Sequence, residues 1–160
     1  MSPPPLLDLT ALRWHGCRFD ALSLAELEHI YMARQQVFGL EQNCLYQDID
    51  GFDEASFHLA AWSPLHKMPL AYARLVDPGL KYTEPSIGRV LTTDAARGTG
   101  LGRELMRRAM ALSAEHFPRR GIRISAQSRL EAFYAGFGFT IVAERYLEDG
   151  IPHTQMLLEP

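Results

Sequence analysis

The spacing of apolar positions changes several times along the chain, and each change marks an element. Leu12–Phe19 predicts a first strand. From Ser23 the period becomes helical: Leu27, Ile30, Tyr31, Arg34, Val37 and Phe38 share one face, and Ser23-Leu24-Ala25-Glu26 in front of them fits a capping box. Phe57–Trp62 and Leu70–Val76 are short apolar runs separated by SPLHKMP, whose prolines mark a turn, so an antiparallel hairpin is expected. Ile87–Thr93 predicts the next strand, Leu101–Phe117 a long amphipathic helix, Ile122–Ala126 a buried strand and Arg129–Gly136 a short helix. Phe139–Glu144 and Thr154–Leu158 are expected to complete the sheet.

Strands bunched early, followed by a strand-helix-strand-helix unit, point to a single-domain α/β sandwich with a mixed, mainly antiparallel sheet. At 160 residues, residues 1–160 are expected to form one domain, which buries roughly 70% of the unfolded surface around a single core. Met1–Leu7 is proline-rich and expected to be loose or disordered. Leu40–Ser56 is the longest irregular stretch, and loops of that length are often functional. Arg34 interrupts the apolar stripe of its helix; it either reaches the site or pairs with a buried carboxylate.

Composition narrows the class. With 47% hydrophobic and 22% charged residues the chain is ordinary for a globular protein, and no apolar run approaches the ~20 residues needed to cross a bilayer. MSPPPLLDL lacks a basic segment and a long apolar segment, so the cytoplasm is the expected compartment and no membrane partner is expected. Cys17 and Cys44 match no metal or redox spacing. The glycine in DIDGFDE is misplaced for an EF-hand, position 59 is Leu where Glu would be needed, and the histidines show no ligand spacing, so no metal is expected. A net charge of −3 argues against general nucleic-acid binding, although Arg97–Arg129 holds eight arginines against Glu104 and Glu115.

The chemistry concentrates where the run IGRVLTTD meets RGTGLG and passes into the long helix. The first N–H groups of a helix have no internal partner and the macrodipole makes that end positive, so an anion can take them. Glycines at 98, 100 and 102 remove the Cβ atoms that would hold a phosphate off, and Arg97 adds charge at the rim. A P-loop is excluded because Gly102 is followed by Arg103 and Glu104 rather than Lys and Ser or Thr. A dinucleotide fingerprint is excluded because position 103 is not Gly and Pro118–Arg123 offers no acid for a ribose.

Arg97, Gly100 and Gly102 write R-x-x-G-x-G, which resembles the acyl-CoA loop of the GNAT acetyltransferase superfamily. Gln127–Phe139, QSRLEAFYAGFGF, resembles that superfamily's other signature, and EQNCLYQDIDG at Glu41–Gly51 with EDGIPH at Glu148–His153 resembles its ElaA-like subgroup. The resemblance covers nearly the whole chain after about Ser23. It implies a sheet whose central parallel strands splay around the long helix, and an N-acetyltransferase that moves acetyl from acetyl-CoA to a primary amine on a small molecule or peptide. A catalytically weak acyl-CoA-binding or sensing module is the alternative, and a homodimer is compatible with either.

By the same resemblance, the thioester arm pairs with Val90, Leu91 and Thr92, and Arg97, Gly98, Thr99, Gly100, Leu101, Gly102 and Arg103 hold the diphosphate, with Gln127 and Phe133 beside the arm. Tyr134 matches the tyrosine expected to protonate the leaving thiolate. Gln127 stands where many relatives carry Asn, and Asp94 where many carry Pro, which alters contacts but not the loop chemistry. A lysine-like amine is less than about 0.1% neutral at pH 7, a deficit of about 4–5 kcal/mol that a general base or a desolvated site must offset. Glu41, Asp48, Asp50 and His153 are the candidate bases. Asp48 and Asp50 either attract a cationic amine or belong to a solvated acidic loop.

Overall fold

β1 (Arg13–Arg18), β2 (Ser56–Trp62), β3 (Ala71–Val76) and β4 (Ser86–Thr92) form an antiparallel sheet in the order β1-β2-β3-β4. The structure is a computed structural model that describes residues 7–160. β2 and β3 are buried along their whole length, because helices cover both faces. Side chains alternate across a strand, so Phe57, Leu59 and Ala61 join one core while Ala60 and Trp62 join another. The first core includes Leu101, Leu105, Met106 and Ala109 of helix α2 (Leu101–His116); the second includes Ile30 and Ala33 of helix α1 (Leu24–Arg34).

α1 begins at the expected capping box: Ser23 Oγ accepts from Glu26 N–H at 3.0 Å and Glu26 Oε1 accepts from Ser23 N–H at 3.1 Å. The chain then continues as a π-helical segment, Gln35–Glu41. Its wider winding shows in bonds from Gln42 N–H to Val37 O and from Cys44 N–H to Gly39 O.

The second sheet has the order β5-β8-β6, with β5 (Ile122–Gln127), β6 (Thr140–Ile141) and β8 (Ile151–Leu158); β7 (Tyr146–Glu148) also pairs with β8. Helix α3 (Glu131–Ala135) follows β5. The expected strand Phe139–Glu144 shrinks to Thr140–Ile141. The edge of β8 opposite β5 is shared, since Thr140 and Ile141 face Leu157 and Met156 while Tyr146 faces His153. Asp149 and Gly150, both at positive φ (52° and 78°), make the tight turn between β7 and β8, in keeping with the preference of such turns for Asp-Gly.

α2 carries the chain from β4 to β5. The two strands come together at their beginnings, where Arg123 N–H donates to Pro85 O at 3.1 Å, and among the described residues they share no ladder beyond that point. Every registered ladder in the described residues is antiparallel. The splay therefore leaves one edge of β4 unpaired and opens a cleft between the sheets. Residues 1–6 of the expected loose N-terminus lie outside the described residues, while Leu7 packs against the first core.

Candidate active site

The cleft between β4 and β5 encloses about 860 Å³. One end is bounded by Arg97 and Gly102, and the turn between them is exposed. Gly98 and Gly100 adopt φ of +76° and +85°, a region L side chains rarely enter, and nothing lies within 4 Å of where their Cβ atoms would be. Gly100 is the N-cap of α2 and supplies no side-chain cap. Among the described residues, the N–H groups of Gly98, Thr99, Gly100 and Gly102 donate to no protein acceptor, whereas Leu101 N–H leans on Thr99 Oγ1 at 3.4 Å and Arg103 N–H returns to Gly100 O at 3.2 Å. Unpaired amides around open space at a helix N-terminus fit a diphosphate.

The expected side-chain contributors divide. Arg97 is held at the mouth by Glu41 and by Thr92 O at 3.1 Å. Leu101 is a core residue, and Arg103 is exposed and does not line the cleft. Val90, Leu91 and Thr92 line the middle of the cleft on β4. There the strand bulges: Tyr72 faces Leu91 but Arg74 faces Gly88, so β4 carries one residue more than β3. Arg89 takes the strain, with φ +50°.

α3 presents Tyr134 to the same cleft. Its ring is 6% exposed and packs edge-on against Phe133 and Phe139, at centroid distances of 5.1 and 6.1 Å. Burial pushes the phenol up to about 12, so it is protonated throughout the neutral range. Its hydroxyl has no hydrogen-bond partner among the described residues. Gln127 lines the cleft beside it, donating to Gln42 Oε1 and accepting from Arg129 Nε, both at 3.1 Å.

Across the β5-β8 register, Gln127 faces His153. His153 Nδ1 lies 2.7 Å from Ile151 O, which only accepts, so Nδ1 carries the hydrogen and Nε2 is left toward the Glu148 carboxylate at 3.3 Å. Glu148 was not foreseen in this role; its signal was the Asp-Gly dipeptide after it, which fixes a hairpin and sets Glu148 across from Ile151. Glu41, the other base candidate, is occupied by Arg97.

Asp48 and Asp50 are neither free lures for a cation nor a solvated loop. They belong to a network in which three carboxylates meet three arginines from three elements. Arg34, fully buried, donates to Asp48 Oδ2 and Asp53 Oδ1, both at 2.8 Å, and to Asp48 O at 2.9 Å. Arg74, 1% exposed, binds both oxygens of Asp50 at 2.7 and 2.8 Å and Asp53 Oδ1 at 3.0 Å. Arg89 reaches Asp48 O at 3.0 Å and Asp50 Oδ2 at 3.2 Å. Burial alone raises the Asp50 and Asp53 carboxyls, but the arginines outweigh it and hold both below the ordinary carboxylate range. His58 completes the floor between Tyr72 Oη at 2.7 Å and Asp53 O at 2.8 Å, and burial lowers its pKa. Arg34 thus pairs with buried carboxylates, the second of its two expected roles. Arg74 and Arg89 were legible as cations inside the apolar runs AYARLV and SIGRVLT, which demand buried partners.

The fold and the glycine-turn cleft define an acyl-CoA acyltransferase of the GNAT type, and the chain belongs to that family: residues 27–160 match the model of the acetyltransferase (GNAT) domain. Protein ElaA of Escherichia coli is 37% identical over 150 residues, covering 92% of this chain and 97% of ElaA; a UPF0039 protein of Synechocystis is 42% identical over 146 residues, covering 91% and 94%. Among solved structures, an acyl-CoA N-acyltransferase from Pseudomonas aeruginosa superposes with a TM-score of 0.87 at 41% identity, and E. coli ElaA with 0.86 at 36%, each covering 92% of this chain and 99% of the other. No helix among the described residues is long and apolar enough to cross a membrane.

Proposed function

We propose that the protein is an N-acetyltransferase that acetylates a primary amine by direct attack, with Tyr134 as general acid. The observation that carries this reading is the arrangement of the cleft: unpaired amides at one end and the unpartnered Tyr134 hydroxyl on its wall. Acetyl-CoA, when bound, supplies an activated thioester. The amides of Gly98, Thr99, Gly100 and Gly102 hold its diphosphate, and the free edge of β4 at Val90–Thr92 orients the acyl arm. Gln127 and Phe133 bound the arm on the β5 side.

His153 takes a proton from the acceptor's ammonium on Nε2, which frees the nitrogen lone pair for attack, and Glu148 stabilises the imidazolium that results. The new C–N bond then replaces the C–S bond, Tyr134 delivers its proton to the departing sulfur, and the second proton that the amide nitrogen sheds restores the phenol. His153 is favoured over Glu41 because Arg97 already occupies Glu41. The free thiols Cys17 and Cys44 are in keeping with the reducing cytoplasm as the compartment.

Thiol release from acetyl-CoA with a panel of amines tests the reading. Tyr134→Phe is expected to lower kcat by about 10²–10⁴-fold while CoA affinity is retained. An unchanged rate removes the acid role, and tight CoA binding without turnover on any amine favours the sensing module.

A further inference from the structure

Beyond Tyr134 the cleft is polarised. The wall made by β3, β4 and the connection between them presents Arg74, Arg89 and Lys81; the opposite wall, the β7-β8 hairpin, presents Glu148, Asp149 and His153. Asp48, Asp50 and Asp53 neutralise three of the four cations on the first side, which are Arg34, Arg74, Arg89 and Lys81. The positive charge left over falls to Lys81.

Lys81 is exposed at the cleft wall, with its Nζ 5.6 Å from the centre of the Phe52 ring. Asp50 and Glu148 are the carboxylates that face it, and neither comes within 4.0 Å. Desolvation, and then Arg74 and Arg89, push its ammonium below the ordinary value, against the opposing pull of Asp50 and Glu148. Arg74 also lines the cleft, but it is 1% exposed, its amino groups are bound to Asp50 and Asp53, and its Nε is buried. The cation that this wall leaves open to an anion is therefore Lys81.

We infer that the acceptor carries an anionic group as well as its amine, an amino acid or amino phosphate rather than a plain amine, with the anion seated at Lys81 and the amine at His153 and Glu148. The inference rests on the acyl-transfer reading for the amine end only. A polyamine meets like charge at Lys81, and a simple alkylamine leaves that ammonium without a counter-charge. Carboxylate and phosphate share the chemistry, and the two arms of the assay separate them.

The experiment compares amino acids with their own carboxamides and decarboxylated amines, and phosphoethanolamine with ethanolamine. Both thiol release and calorimetric binding to the CoA-loaded protein are measured. The acid is expected to exceed its carboxamide by about tenfold or more in kcat/KM and in affinity. Lys81→Met is expected to collapse that ratio by raising KM for the acid alone, and Lys81→Arg to restore it. Carboxamides or plain amines that match or exceed the acids, or a ratio indifferent to Lys81→Met, overturn the inference. If no amine turns over but the acid still binds in a Lys81-dependent way, the anion site stands and the acetyltransfer reading falls.

Discussion

At the Gly98–Gly102 end of the cleft the ligand-facing groups are backbone amides, whereas at the Asp48–Arg89 end they are side chains locked to one another from separate segments of chain. The first end is made within five consecutive residues by local geometry: two left-handed glycines and a helix start. The second needs α1, the loop after it, β3 and β4 to converge before any charge finds its partner. On the proposed reading, recognition of a ligand common to many enzymes is carried by main chain. The end proposed to distinguish acceptors is carried by side chains, and its rigidity comes from ion pairs that also close the fold.

The largest way to break this contrast is Arg34→Ala, which leaves Asp48 and Asp53 buried without their cation. It is expected to cost about 3–5 kcal/mol in denaturant unfolding, and a loss under about 1 kcal/mol would mean that the network does not secure the fold. Gly100→Val should act in the opposite sense, strongly on the ligand and weakly on the fold. A β-branched residue at φ +85° costs about 1–3 kcal/mol locally, while its side chain enters the space reserved for phosphate, so CoA affinity is expected to fall at least tenfold by calorimetry. An affinity equal to that of the wild type would remove the amide cradle from the account.

Acid sharpens the comparison further. His58 has a folded pKa below its ordinary 6.5, so as pH falls through 6.5 the unfolded chain gains a proton that the folded chain refuses. Asp50 and Asp53 are held below their ordinary 3.8, so as pH falls through 3.8 the unfolded chain again takes up protons first. Both effects remove stability toward acid and are absent above neutrality. Tm is expected to drop by about 5 °C or more between pH 7 and pH 3, the His58 part first and the carboxylate part below about pH 4, and a profile flat over that whole range would contradict the network's charge state. The smallest effect belongs to Arg103→Ala, which is expected to leave CoA affinity within about fivefold, because that side chain is exposed on α2 and away from the cleft.

What the sequence disclosed follows the same division. Ser23 and Glu26, the apolar period of α2 and the glycine turn are local signals with local causes, and each forms the expected element. The π winding of Gln35–Glu41 was invisible because Val37 and Phe38 stay buried under either helical pitch. The strand after Phe139 was overextended because apolar character alone cannot tell that β7 already occupies the adjoining edge of β8. Asp48 and Asp50 were visible as acids but not as paired acids, since their arginines lie 14 to 41 residues away in the chain.

The proposed seat of the diphosphate is the set of main-chain N–H groups in the glycine turn. It is tested most directly by following the backbone amide resonances of Gly98, Thr99, Gly100 and Gly102 in ¹⁵N-labelled protein during titration with CoA and, separately, with pantetheine, which lacks the diphosphate. Large shifts in those four amides with CoA but not with pantetheine are expected. Amides that stay unmoved at saturating CoA would contradict the account.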